Sequence, residues 1–203
     1  MRPARPRDDH RMMDIARPRT LADGLVPPQR FDIDEFVLRR WRIGDAQAQV
    51  RALAESFEHL HAWLPWATTP ATLEVQRALL AEWSTGWPHN GEDFLYGLFD
   101  ATDAVLGGMG LHERGSTGTV EIGYWGHVAH GGRGVITRAV VALTDSALAL
   151  PGVDRVRIRC DVANLRSAAV ARRAGYRLDH VEAAEPATPA QSGQMMIWVR
   201  DRV

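Results

Sequence analysis

The sequence contains no lysine: its 24 basic side chains other than histidine are all arginine. A Gly-Lys-Ser/Thr phosphate loop is therefore excluded. There is one cysteine, Cys160, which rules out an intrachain disulfide framework and a thiolate metal cluster. No apolar run approaches the length of a membrane span. The first residues carry arginines but no hydrophobic h-region, and Asp8, Asp9 and Asp14 are wrong for a transit peptide. A formal net charge of -1 argues against general nucleic-acid binding. These absences lead to an expectation of a cytoplasmic protein without a metal, membrane or nucleic-acid partner.

What is present fits one domain. The 203 residues, 45% of them apolar, suffice for a full core. Residues 1–28 are rich in Arg, Pro and Asp and cannot offset their ordering entropy. They are expected to form a disordered tail, with Met12 and Met13 available as alternative starts, ahead of a folded domain at 29–203. Strands are expected at 36–41, 94–99, 104–111, 120–125, 153–161, from 175, and at 195–199. Helices are expected from an Asp45 N-cap to about 58, from 72 to 83 or 85, over 135–150 and over 164–174. In the 153–161 strand, Val156, Ile158 and Cys160 alternate with Arg155, Arg157 and Arg159, so Cys160 reads as a small buried hydrophobe.

The chain is organised around residues 120–150, a strand, a glycine turn (His130, Gly131, Gly132, Arg133, Gly134) and a helix. Helix N-termini expose unpaired N–H groups and a partial positive charge. Glycines permit close approach of a ligand to the backbone, and an arginine fork suits phosphate oxygens. The turn alone leaves two readings open, a phosphate cradle or a plain tight turn. It is not a dinucleotide fingerprint, because G-x-G-x-x-G is absent.

The run from Glu121 to Thr137 resembles the acyl-CoA signature of the GNAT superfamily of N-acetyltransferases, in the branch of RimJ/RimL-type ribosomal-protein N-terminal acetyltransferases. Gln/Arg-x-x-Gly-x-Gly/Ala falls here on Gly131 to Ile136. Gly134 matches, Gly131 replaces Gln/Arg, and Ile136 replaces a small residue. Asn164, Ser167, Val170, Arg173, Gly175 and Tyr176 are similar to the second signature. The segments Leu38-Arg-Arg-Trp41 and Leu60-His-Ala-Trp-Leu-Pro-Trp66 resemble the RimJ/RimL branch. Together these cover about 36–199.

The resemblance implies an α/β (α+β) GNAT fold: a mixed, mostly antiparallel sheet of six to seven strands, helices on both faces, and a splayed central strand pair. It implies acetyl-CoA or CoA as acyl donor, an amine acceptor, direct attack in a ternary complex, and a homodimer by analogy. The donor would contact Trp125, Gly126, His127, Val128, Gly131, Gly132, Arg133, Gly134, Val135, Ile136, Thr137, Asn164, Ser167 and Arg172. Gly126 is expected to mark a bulge that opens the gap. Trp63, Trp66 and His112 would line the acceptor side, and the lysine-free chain offers no side-chain amine for self-acylation. Glu121 is expected to be the general base, with a salt bridge to a neighbouring-strand arginine as the competing reading and His112 and His127 as runners-up. Ser167 is expected to be the acid, followed by Tyr176, because Ala171 stands where many members carry a tyrosine. Glu113 would suit a cationic acceptor. Competing functions are a non-catalytic acyl-CoA-binding module, motivated by Gly131, Ile136 and Ala171, and O-acylation.

Overall fold

The computed structural model describes residues 21, 25–86 and 93–203. Eight strands form one sheet: β1 (Arg30–Ile33), β2 (Phe36–Arg40), β3 (Asp93–Asp100), β4 (Val105–His112), β5 (Thr119–Gly126), β6 (Arg155–Asp161), β7 (Arg177–Ala183) and β8 (Gln194–Asp201). Their spatial order is β1-β2-β3-β4-β5-β6-β8-β7, with every pair antiparallel except β5 and β6. The strand not foreseen is β1. Its four residues fall below the length at which alternation stands out, and it closes on β2 through Asp34, which adopts φ +50°.

Five α-helices cover the two faces: α1 (Ala46–Glu55), α2 (Phe57–His61), α3 (Leu73–Gly86), α4 (Val135–Ala149) and α5 (Leu165–Arg173). On one face, Val135, Ala139, Val140, Leu143 and Ala147 of α4 pack on Leu38, Tyr96, Val120, Ile122, Val156 and Ile158. On the other, Ala52 of α1 and Leu80 of α3 join Trp41, Phe99 and Val105. Glycines in the left-handed region end two helices, Gly152 (φ +84°) after α4 and Gly175 (φ +83°) after α5.

Three expectations are corrected. The folded part starts before residue 29: Leu21 is 1% exposed, Leu25 and Val26 pack on the core, and Tyr96 Oη donates to the Pro28 carbonyl at 3.0 Å. The apolar side chains at 21, 25 and 26 find a sheet face that composition alone does not reveal. The rest of the expected tail, including Met12 and Met13, lies outside the described residues. The helix begun at Asp45 breaks at Ser56 into α1 and α2; Asp45 takes the expected N-cap position of α1, but its side chain makes no cap hydrogen bond. Its carboxylate accepts from the Arg42 N–H at 2.8 Å and from both Arg39 terminal nitrogens at 2.8 and 2.9 Å.

Candidate active site

The sheet is split at its parallel pair. β5 and β6 are in register only at Thr119↔Arg155, Val120↔Val156 and Glu121↔Arg157. Beyond that rung β5 stays on β4 as far as Gly126↔Gly107, and β6 stays on β8 as far as Asp161↔Met195. The splayed pair is therefore present, with facing strand edges bare above Glu121 and Arg157. The expected bulge at Gly126 is absent: β4 and β5 pair without interruption from Glu121 to Gly126. Gly126 instead makes room for Ile136, whose Cγ1 lies 3.2 Å from where a Gly126 Cβ would sit.

The glycine turn sits at the open end. His127 enters a short 3-10 turn, Val128–His130, and Gly131 is extended. Gly132 (φ +80°) and Gly134 (φ +72°) are left-handed, and a Cβ at either would meet nothing within 4 Å. Gly134 is the N-cap residue of α4 and contributes no side-chain cap, so the first N–H groups of α4 face outward past a bare, open backbone. Arg133 is exposed beside it, 3.4 Å from His130. This is a cradle with the shape and charge for a pyrophosphate. Val135 is buried at 3% and Thr137 half-buried. Ile136 is half-buried against the core and Gly107, so its bulk points at the sheet rather than into the cradle.

Two residues expected to face the donor fasten the loop instead. His127 is 7% exposed; its Nδ1 accepts from the Ala129 N–H and its Nε2 meets Glu55 Oε2, both at 3.1 Å. With both ring nitrogens engaged it is not available as a base. The Val128 N–H donates to Ser56 Oγ at 3.1 Å.

Asn164 caps α5: its Oδ1 accepts from the Ser167 N–H at 3.1 Å. Tyr124 reaches Ser167 from β5, donating to its carbonyl at 3.0 Å with Ser167 Oγ 2.9 Å away. A hydroxyl pair thus spans the gap. Burial pushes the Tyr124 phenol well up, against the smaller opposing effect of Ser167. Tyr124 was missed as a site residue because alternation marks it only as inward-facing. Tyr176 is not an acid for this site: it is 4% exposed and 2.6 Å from Thr144 Oγ1, inside the core. Cys160 is buried, and burial raises its thiol. Arg172 lies exposed in the last turn of α5.

On the face away from α4, Glu121 accepts from Arg157 Nε at 2.8 Å with its side chain 15% exposed. The ion pair, the competing reading of Glu121, is what the structure contains. An open depression of about 400 Å³ beside it is lined by Arg114, Gly115, Glu121, Arg157 and Arg159. Glu113 points the other way, its Oε2 accepting from the Leu21 N–H at 3.1 Å, so the expected acidic flank is corrected to an arginine-rich one. His112 lies on the Glu121 face and holds Asp93 through Nδ1.

Neither tryptophan of the 63–66 segment joins a core cluster; Trp66 is 56% exposed. The long 184–193 loop arrives there: Thr188 Oγ1 donates to the Ala62 carbonyl at 2.7 Å and Gln191 Nε2 to the Trp63 carbonyl at 3.3 Å. Asp161, at the free end of β6, holds Ser192 through its N–H and its hydroxyl, both at 2.8 Å. The two segments close over the tip of β6.

A split parallel pair beneath a glycine-opened helix N-terminus defines an acyl-CoA acetyltransferase architecture. Residues 35–177 match the acetyltransferase (GNAT) domain family, and the chain belongs to that family. A curated relative, the probable N-acetyltransferase YjcK of Bacillus subtilis (strain 168), is 30% identical over 113 residues, 54% of this chain. The match spans 62% of that relative's length. Among solved structures, RimL, a ribosomal L7/L12 alpha-N-protein acetyltransferase in complex with coenzyme A, superposes with TM-score 0.75. It is 19% identical, with 85% of this chain and 97% of that one covered. The microcin C7 self-immunity acetyltransferase MccE, in complex with acetyl-CoA and AMP, has TM-score 0.74 at 18% identity, covering 83% and 93%. At these identities the structures speak to the fold, which is the GNAT fold with an eight-stranded sheet.

Proposed function

We propose that this protein transfers an acetyl group from acetyl-CoA to a primary amine, either a protein N-terminus or a small molecule. The observation that carries the reading is the end of β5–β6 pairing at Glu121↔Arg157 while both strands continue. The bare edges suit the amides of a pantetheine arm in the manner of an added strand. The Gly131–Gly134 turn and the N-terminus of α4 suit the pyrophosphate, with Arg133 as a nearby cation. Asn164 and Ser167 stand at the mouth. A strand N–H left unpaired by the splay supports the developing oxyanion, and in this reading the Ser167 hydroxyl, hydrogen-bonded to Tyr124, protonates the departing sulfur.

The acceptor enters from the opposite face, between the 62–66 segment and the arginine depression. Three guanidinium groups and one carboxylate line that depression. An amine with an anionic group nearby, such as the N-terminus of an acidic peptide, complements it better than a polycation does. Release of free CoA thiol from acetyl-CoA across a panel of amines tests the transfer. Peptides differing only in acidic or basic second residues test the acceptor. No release with any amine, despite measured acetyl-CoA binding, would favour a non-catalytic binding module.

A further inference from the structure

His112 lies on the face of the sheet from which the acceptor enters, and the glycines around it decide where its ring can go. A Cβ on Gly110 would fall 2.3 Å from His112 Nε2, and one on Gly123 would fall 3.3 Å from it. The ring thus lies over the Gly110–Gly123 pair, with Nε2 nearest Gly110 and within contact distance of a side chain at Gly123. Gly123 belongs to the stretch of β5 that has left β6, two residues past the last rung. The other ring nitrogen, Nδ1, is bonded to Asp93 Oδ1. Arg114 fixes Asp93 in turn, its guanidinium 2.8 Å from Oδ2. Burial pushes the Asp93 carboxyl up, but His112 and Arg114 outweigh it and hold the group below its usual range. The His112 side chain is 12% exposed. Other charged groups around it are Glu121 on β5, in register with it, and Arg157 on β6, bound to Glu121.

We infer that His112 is the general base of the transfer and that Asp93 is its positioning residue. The inference rests on the acetyl-transfer reading. Asp93 keeps the proton on Nδ1, which leaves Nε2 unprotonated above the Gly110–Gly123 pair, where the absence of side chains leaves it room beside the bare edge of β5. An incoming ammonium loses an N–H bond as an Nε2–H bond forms. The freed amine lone pair makes the new C–N bond as the thioester C–S bond breaks, its electron pair leaving on sulfur. The sulfur takes a proton from the Ser167 hydroxyl, which is made good by the second N–H proton shed from the new amide nitrogen, so that a neutral amide and a free thiol result. Glu121 is a poorer candidate, since taking a proton would cost it the Arg157 pair.

The test is a pH–rate profile with the best acceptor from the amine panel. His112→Gln is expected to lower kcat by about two orders of magnitude, keep acetyl-CoA affinity within about twofold by calorimetry, and lose the acidic limb. Asp93→Asn is expected to lower kcat at least about tenfold, with KM little changed. The ligand-free parent is expected to show a far-downfield imidazole N–H proton resonance from the His112–Asp93 hydrogen bond, which Asp93→Asn removes, a signal that needs no turnover. Glu121→Gln keeps the acidic limb. Should a His112 variant fail to fold, Gly123→Ala leaves every titratable group in place and sets a methyl in front of Nε2; kcat then falls with acetyl-CoA still bound. An active His112→Gln enzyme with its acidic limb intact overturns the assignment, as does loss of that limb in Glu121→Gln or an unchanged kcat in Gly123→Ala. A parent protein inert toward every amine overturns the transfer reading instead.

Discussion

At the residue scale, Ile136 and its glycine neighbours show how a motif position can change its job. A β-branched side chain where the family signature has a small residue reads as an obstacle in a phosphate cradle. In the structure it leans over Gly107 and Gly126, and a Cβ on Gly107 would lie 2.4 Å from the Trp125 carbonyl oxygen and 3.1 Å from Ile136 Cδ1. Ile136→Ala is therefore expected to cost about 1–2 kcal/mol in urea unfolding, the low end for a core truncation because the side chain is half-buried. Gly107→Ala is expected to be worse, because backbone rather than a flexible side chain stands in the way. Gly44→Ala, where nothing lies within 4 Å, is the neutral control in the same measurement. Such pairings across strands were not legible in the sequence. Alternation says which face a residue takes, not which glycine lies opposite it.

At the element scale, the start of α4 and the β1–β2 hairpin depend on each other. Arg138 bonds Asp34 at 2.7 Å and both oxygens of Glu35 at 2.7 and 2.9 Å, and it lies 4.6 Å over the Phe36 ring. This contact holds Glu35 down to about 2, chiefly through the hydrogen bond from Arg138. A depressed carboxyl stabilises the fold fully above its unfolded value, near 4.5, and loses that contribution as pH falls toward about 2. Glu35→Gln is expected to flatten the acid side of the stability–pH curve over that interval, and added salt to do the same to the parent. At the other side of the turn, Gly134→Val forces a β-branched residue to φ +72° and fills the approach to the backbone. Calorimetry is expected to show acetyl-CoA binding weakened at least about tenfold. The strand-turn-helix unit was readable in advance because three local signals coincide: a β-branched strand, consecutive glycines and an apolar helical face. The Thr188 and Gln191 contacts to residues 62 and 63 were not, since a Pro/Ala/Gln loop carries no pattern that names a distant partner.

At the scale of the whole molecule, the sheet is two smaller sheets, β1 to β5 and β6-β8-β7, joined by three parallel rungs. Donor binding in the gap is expected to slow amide exchange at residues 122–126 and 158–161, with the exposed edge strand β7 unaffected; hydrogen exchange by mass spectrometry reads both. Exchange that slows only around the glycine turn would place the arm outside the gap. The two-sheet division was foreseen through family resemblance, whereas the rung at which it begins, Glu121↔Arg157, carries no local sequence signal, because it depends on how two strands distant in sequence meet. The division also gives the protein a mechanical weak line. A seam pulled from its open end loads its first stitch, and here that stitch is the Glu121–Arg157 rung, reinforced by its own ion pair. Force spreading the arms would be carried there before it reached any other strand pair, so this one rung limits how wide the molecule can gape without tearing.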